Sequence, residues 1–317
     1  MKRTKLIANF THNLNPTFRN WVGAEIETHF ADLQRRRPIS VARSQLIFEE
    51  YIDATRDIRS HRESGNPICK KWNKWDKRGA LITTLHADDG TKVLYELGRQ
   101  NIEVATAPCG TGYLLTVVGN ELRDLYFAAE RSGARPLTDP IIDTDEDLLV
   151  IPDERDSSWL KLDGREALAL LAKTASVQFT FETKGPEHAI RALNILADEH
   201  LGILEQFPYP QDKLWREYIS TSKAGYRADR YGIVRPSSIN NYVDMLAEHD
   251  VVVNGELVPF TRAKQDVDVF LRSVWWNFRL RRYSDRLCLE VRTLARTDDE
   301  NIELAYKRIS SIMRSTH

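Results

Sequence analysis

Four short segments of the chain alternate apolar and polar residues with a period of two. They cover residues 24–30, 101–106, 174–182 and 287–292. Successive side chains of a β-strand point to opposite faces, so this period predicts strands with one apolar and one polar face. The polar faces carry carboxylates, a carboxamide and an arginine. The pattern therefore predicts an antiparallel sheet whose apolar face packs under helices.

Apolar residues spaced three and four apart occupy much of the remaining chain and predict helices. The predicted helices are 40–60, 111–132, 186–206, 238–248, 264–278 and 299–314. Pro186 suits the first turn of a helix, and Ser238 suits an N-cap. No internal repeat or low-complexity linker divides the sequence. We therefore expect an α+β fold in a single domain over residues 1–317.

Glutamates recur on the polar strand faces. Glu25 and Glu27 lie two residues apart on one strand, and Glu96 and Glu103 flank a short turn that would join two strands of a hairpin. Like charges that face each other across strands are destabilising, and a divalent cation between them would remove that repulsion. A polar face that is merely solvated is the alternative, but such a face normally contains more lysine.

The donor atoms on these faces are oxygens, which suit Mg²⁺ or Mn²⁺ rather than Zn²⁺. The candidate metal ligands are Glu25, Glu27, Glu96, Glu103, Gln178 and Glu290. His29 lies next to the same face, and we interpret it as an ordinary hydrogen-bonding residue.

Arginines surround Glu290 in the sequence. They are Arg279, Arg281, Arg282, Arg286, Arg292 and Arg296. Guanidinium groups match the oxygens of phosphates and carboxylates, so this segment predicts a site for an anionic ligand. The sequence contains no P-loop and no glycine-rich dinucleotide-binding motif.

The near-neutral charge of the chain argues against some classes of binding partner. Lys and Arg total 45, Asp and Glu total 46, and the net charge is −1, which argues against nucleic acid or an anionic membrane as the main partner. The sequence shows no apolar run of membrane-spanning length and no secretory signal. Its three cysteines lack the spacing of a zinc site or a disulfide framework. We expect a cytoplasmic protein without a membrane partner.

Residues 68–78, ICKKWNKWDKR, interleave two tryptophans with five basic residues. Aromatic rings beside basic side chains are typical of sites for single-stranded nucleic acid. We prefer the interpretation of a loop that covers a substrate, or of a solvated loop anchored by its tryptophans.

Four motifs, taken in order, resemble the glutamate–cysteine ligase and carboxylate–amine ligase family of the glutamine synthetase superfamily. They are GAEIET, YELGRQNIEVATAP, ASVQFTF, and WWNFRLR followed by CLEVRTL. The resemblance spans about residues 20–295. It implies an antiparallel sheet curved into a half-barrel funnel with helices outside. It also implies that the concave face holds ATP, the substrates and two or three Mg²⁺ ions, with Mn²⁺ as an alternative.

The same resemblance assigns roles to individual residues. Its metal-binding positions match Glu25, Glu27, Glu96, Glu103, Gln178 and Glu290. Arg279 and Arg292 match catalytic arginines near the phosphates. Residues 223–238, KAGYRADRYGIVRPSS, resemble the family's substrate loop. We therefore expect Tyr226, Arg227, Arg230 and Arg235 to bind substrate, and a plain surface connection is the alternative.

The activity implied by the resemblance is amide formation through an acyl phosphate, with glutamate as the activated acid and cysteine as the leading acceptor. Two departures leave the acceptor open. Asn277 stands where many carboxylate–amine ligases have aspartate, and Ala295 and Arg296 follow Leu294 where an aspartate is usual. The alternatives are an ATP-dependent phosphotransferase on the same scaffold, and a non-catalytic or nucleic-acid-binding relative.

Overall fold

The fold is described from a computed structural model that covers residues 1–34, 37–56, 72–78, 81–142, 154–222 and 230–316. Its helices are α1 (Arg3–Thr11), α2 (Val41–Arg56), α3 (Leu114–Arg131), α4 (Glu154–Asp163), α5 (Arg165–Ala172), α6 (Pro186–Gln206), α7 (Asp212–Thr221), α8 (Ile239–Ala247), α9 (Val267–Leu271) and α10 (Asp299–Ser315).

The strands are β1 (Trp21–Asp32), β2 (Trp72–Arg78), β3 (Leu81–Ala87), β4 (Lys92–Tyr95), β5 (Asn101–Ala105), β6 (Cys109–Gly110), β7 (Ala134–Leu137), β8 (Ser176–Glu182), β9 (Tyr231–Gly232), β10 (Val251–Val253), β11 (Glu256–Val258), β12 (Trp275–Trp276), β13 (Phe278–Tyr283) and β14 (Arg286–Ala295).

Most of these strands form one open sheet with the order β13-β14-β8-β1-β5-β4-β3-β2. Strands β6 and β7 also pair with β1. Neighbouring strands of this sheet run antiparallel. The fold is therefore a mixed α and β structure built on a large antiparallel sheet flanked by helices, as the alternating segments predicted.

One face of this sheet forms the hydrophobic core. Val177, Phe179 and Phe181 of β8 pack in one cluster with apolar residues of α6 and α10. Ile102 and Val104 of β5 pack in a second cluster with apolar residues of α2 and α3. On the opposite face of the same strands, Ser176, Gln178, Asn101 and Glu103 line the cavity described below.

Two segments differ from their predictions. The predicted helix 264–278 is helical only at Val267–Leu271, and Trp275 and Trp276 form a short strand that pairs with β9. The carbonyl oxygens of Leu271 and Val274 accept hydrogen bonds from Arg279 Nη1 at 2.7 and 2.8 Å. This side chain from a later strand satisfies the end of the helix, which is an interaction that local periodicity does not register.

The predicted loop over 68–78 is also different, because residues Trp72–Arg78 form the edge strand β2. The indole of Trp72 packs against the second core cluster, and its Nε1 donates to Thr55 Oγ1 at 2.8 Å. Residues 68–71 lie outside the described part of the chain. None of the helices in the described ranges is long and apolar enough to cross a membrane.

Candidate active site

A cavity of about 780 Å³ lies over the polar face of the large sheet. The predicted site residues that line it are Glu25, Glu27, Glu96, Glu103, Gln178, Arg279 and Arg292. They come from five neighbouring strands and one turn, so the fold gathers residues that lie up to 267 positions apart in the sequence. The functional roles assigned to these residues stay predictions.

The strand register explains why the carboxylates meet. Glu27 of β1 pairs directly with Glu103 of β5, and Glu25 pairs with Gln178 of β8. Glu96 follows β4 at the turn of the predicted hairpin, where its backbone N–H donates to Asn101 O at 3.2 Å. Side chains at paired positions leave the same face of an antiparallel sheet, so the carboxylates are carried towards one another.

This gathering raises the pKa values of the carboxyl groups. Burial and the nearby Glu96 raise the pKa of Glu27 to about 8, although Ser176 N–H donates to its carboxylate at 2.8 Å. Burial and the charge of Glu25 raise the pKa of Glu103 well above its usual range. Burial and Glu290 raise the pKa of Glu25. Full ionisation of these carboxyl groups would therefore place more negative charge in the site than its surroundings stabilise, and such raised pKa values are typical of functional sites.

Gln178 lies on β8, between the carboxylates and the arginines. Its side chain is 8% exposed and lines the cavity. Its Nε2 donates to Glu27 Oε1 at 3.4 Å, whereas its Oε1 has no hydrogen-bond partner within the described structure. A buried carbonyl oxygen without a partner is costly, and a ligand in the cavity would satisfy it.

Glu290 occupies the centre of the arginine cluster. Its carboxylate accepts from Arg279 Nε at 2.7 Å and from the Tyr283 hydroxyl at 2.8 Å. Arg281 and Arg292 add ion pairs at 3.3 and 3.6 Å. Burial opposes the charge, but these arginines outweigh it and lower the pKa of Glu290 to about 2. Glu290 is thus the counter-ion that holds the arginines together, and its predicted role as a metal ligand stays a prediction.

The arginines around Glu290 differ in how many of their N–H donors remain free to bind a ligand in the cavity. Arg279 is fully buried, and its guanidinium is used by Glu290 and by two backbone carbonyls. Arg281 and Arg292 are partly exposed and line the cavity. A bulge in β14 between Val291 and Leu294 lets the consecutive residues Arg292 and Thr293 both line it. Arg281 and Arg292 are therefore better placed than Arg279 to contact an anionic ligand.

The predicted substrate loop divides into three parts. Tyr226 and Arg227 lie outside the described residues. Arg230 is fully buried and donates to the Ser273 backbone carbonyl and side chain at 3.4 and 3.2 Å. Arg235 lies on the surface, where its Nε bonds to Asp198 at 3.1 Å. Neither Arg230 nor Arg235 lines the cavity, so their contacts are those of a structural connection.

Sequence periodicity did not single out an aromatic wall on one side of the cavity. It contains Trp159, Trp215, Tyr218, Tyr231 and Trp275. These residues come from α4, α7, β9 and β12, and none of these elements was predicted. Lys77, Lys92 and Arg281 also line the cavity. Two of them had a signal in the sequence: Arg281 lies two residues from Arg279 on the same strand face, and Lys77 belongs to the basic segment 68–78 that was interpreted as covering a substrate.

The described residues do not include three His, Cys, Asp or Glu side chains that are grouped to hold a metal ion in this arrangement. The donor chemistry nevertheless fits a hard divalent cation, since it combines carboxylates with the unsatisfied Gln178 Oε1.

No protein-family model matches the sequence, and no curated protein matches it. A solved structure described as "Crystal structure of novel glutamine synthase homolog" matches 94% of this chain with a TM-score of 0.40 and 11% sequence identity. The match covers 55% of that structure's chain, so this protein spans about half of its length.

Proposed function

We propose that the protein is an ATP- and Mg²⁺-dependent carboxylate–amine ligase that forms an amide through an acyl phosphate. The observation that carries this proposal is the separation of charge within one cavity. Buried glutamates from β1 and β5 lie on one side of Gln178, and arginines from β13 and β14 lie on the other. We also propose that the sheet curves into a half-barrel funnel around this cavity.

The carboxylate side suits the metal ions. Glu25, Glu27, Glu96 and Glu103, with Gln178 Oε1, would hold them. When bound, the ions would neutralise phosphoryl oxygens and so favour attack at phosphorus. Cation binding would also displace the protons that the raised pKa values of Glu27 and Glu103 retain.

The arginine side suits the charges that develop during the reaction. A substrate carboxylate attacks the γ-phosphorus of ATP, ADP departs, and an amine then attacks the acyl carbon and expels phosphate. Both steps concentrate negative charge on oxygen atoms. Arg281 and Arg292 are held in place by Glu290 before the substrate arrives, and such preorganised donors stabilise charge in a transition state. Glutamate, activated at its γ-carboxylate, is the acid we propose, and cysteine is the first acceptor to test.

Product analysis tests the proposal. The purified protein would be incubated with ATP, Mg²⁺, glutamate and a panel of amines, and products identified by mass spectrometry. We expect ADP, phosphate and an amide in equal amounts, and Arg292→Ala should abolish all three. Arg308 is partly exposed and does not line the cavity, so Arg308→Ala provides a matched control that should leave the products unchanged. ADP with a phosphorylated acceptor and no amide would instead identify a phosphotransferase.

A further inference from the structure

The aromatic wall of the cavity ends at a carboxamide that has an unused acceptor. Asn277 lies between β12 and β13, is 6% exposed and lines the cavity. Its Nδ2 lies 3.2 Å from His200 Nε2, whereas its Oδ1 has no hydrogen-bond partner within the described ranges. This oxygen is a buried acceptor without a partner, and leaving it unsatisfied is costly.

The backbone holds this carboxamide in place. Asn277 N–H donates to Gly232 O at 2.8 Å, and Asn277 O accepts from Arg292 N–H at 3.0 Å. His200 is buried, and burial lowers its pKa, which favours the neutral imidazole. When Nε2 accepts from Asn277 Nδ2, as their 3.2 Å separation allows, Oδ1 lies on the side of the amide away from the ring. His200 is thus a positioning residue for the amide.

Flat aromatic rings adjoin the carboxamide. Trp275 pairs with Tyr231 in the β12–β9 ladder next to Asn277. Its ring lies 5.6 Å from that of Trp215 and 5.2 Å from that of Trp159, measured between centroids. Trp275, Trp215 and Tyr231 are partly exposed and line the cavity. Such a wall favours a planar ring, which it can contact by stacking or by an edge-to-face arrangement.

We propose that this wall and Asn277 form a subsite for a planar ring that carries an N–H donor, with the ring packed on Trp275 and the N–H directed to Asn277 Oδ1. Two ligands of the proposed reaction have this chemistry: the adenine of ATP, with its exocyclic amino group, and an aromatic amine acceptor. Assigning the ring to either source rests on the proposed function, whereas binding of the ring does not.

Calorimetry with paired probes separates the two sources. ATP would be compared with purine riboside triphosphate, whose ring has hydrogen in place of the amino group and carries no N–H donor. Tryptamine would be compared with butylamine, which has no ring. If adenine occupies the subsite, ATP binds about 3- to 10-fold more tightly than purine riboside triphosphate, the effect of one neutral hydrogen bond. If an aromatic amine occupies it, tryptamine binds more tightly than butylamine by at least a similar factor.

Variants connect the preference to the residues. Asn277→Leu removes the acceptor, so it should abolish the preference for ATP and reduce the preference for tryptamine to the part due to ring packing, whereas Asn240→Leu, at an exposed position on α8, should retain both preferences. His200→Leu removes the ring nitrogen beside Asn277 Nδ2, lies outside the cavity lining, and should reduce the same preferences by releasing the carboxamide. This provides a second test if Asn277→Leu does not fold, which thermal melting would reveal.

Two results would overturn the subsite: equal binding within both probe pairs, or a preference of undiminished size in both Asn277→Leu and His200→Leu. Tighter binding of purine riboside triphosphate than of ATP would also overturn it, because the amide would then present its NH₂ group. A ring preference without any amide product would refute the ligase and leave the subsite standing. Amide formation without a ring preference would refute the subsite and leave the ligase proposal standing.

Discussion

Glu27 should make the stability of the metal-free protein depend on pH. Its carboxyl faces Glu25 on its own strand, Glu96 at the β4–β5 turn and Arg292 on β14, and it accepts from the backbone of Ser176 on β8. Burial and the charge of Glu96 dominate and raise its pKa to about 8 from an ordinary value of 4.5. The perturbation that tests this is Glu27→Gln, which keeps the size of the side chain and removes its titration.

The sign of the effect follows from proton linkage. The folded protein retains a proton on Glu27 that the unfolded chain releases, so this contribution to stability is fully present below about pH 4.5. It is lost as the pH rises towards about 8. Burial lowers the pKa values of His29 and His249 to about 4, and their opposite contributions are lost as the pH falls below about 6.5. The clear window for Glu27 is therefore pH 6.5 to 8.

The magnitude follows from the width of that window. Each pH unit within the window changes the unfolding free energy by about 1.4 kcal/mol, so the 1.5 pH units between 6.5 and 8 correspond to roughly 2 kcal/mol. Urea unfolding in the presence of a chelator would measure it at about pH 6.5, 7.2 and 8.0. The wild-type protein should lose roughly 2 kcal/mol more than Glu27→Gln across this range. Glu205→Gln, at an exposed position on α6, should behave like the wild type. Equal pH slopes for the wild type and Glu27→Gln would refute the reasoning.

Three further variants test the site and its surroundings. Glu290→Gln leaves Arg279 buried without its counter-ion and should lower the unfolding free energy by roughly 3–5 kcal/mol; a loss below 1 kcal/mol in urea unfolding would contradict this. Arg292→Lys keeps the positive charge but loses the paired N–H donors of the guanidinium, so turnover should fall on the order of 100-fold while the Kd for ATP changes less; equal changes in turnover and in Kd would contradict this. Arg230→Ala should lower the melting temperature without altering substrate KM, and Arg235→Ala should alter neither; a raised KM in either variant would restore the substrate-binding role.

The strands that carry the charged residues could be predicted because their alternation is local. Residues 24–30 and 174–182 lie within or beside β1 and β8, and their apolar positions enter the core. The helix predicted at 186–206 matches Pro186–Gln206 in full. In these segments the local pattern and the tertiary packing favour the same structure.

The structure around Glu290 could not be predicted in the same way. The sequence shows a glutamate among arginines. It does not show that the guanidinium of Arg279 also donates hydrogen bonds to the backbone carbonyls of Leu271 and Val274. That long-range contact accompanies the early end of α9 and the extended course of Trp275 and Trp276. Helical spacing of apolar residues therefore predicted the wrong element there, since tertiary contacts override weak local preferences.

The aromatic wall was missed for a related reason. Trp215 lies on α7 and Trp159 on α4, and no spacing within either segment indicates that they meet Trp275. Their ring contacts with Trp275 join residues at least 60 positions apart. Chemistry that depends on such contacts becomes visible only in three dimensions.

Anomalous scattering from crystals soaked with Mn²⁺ and ADP would test the central claim most directly. The proposed function predicts Mn²⁺ peaks within coordination distance of Glu25, Glu27, Glu96 or Glu103 and of Gln178 Oε1. It also predicts that the diphosphate lies between these peaks and the guanidinium groups of Arg281 and Arg292. Fully occupied nucleotide outside this cavity, or a cavity that binds neither Mn²⁺ nor ADP at saturating concentrations, would contradict it.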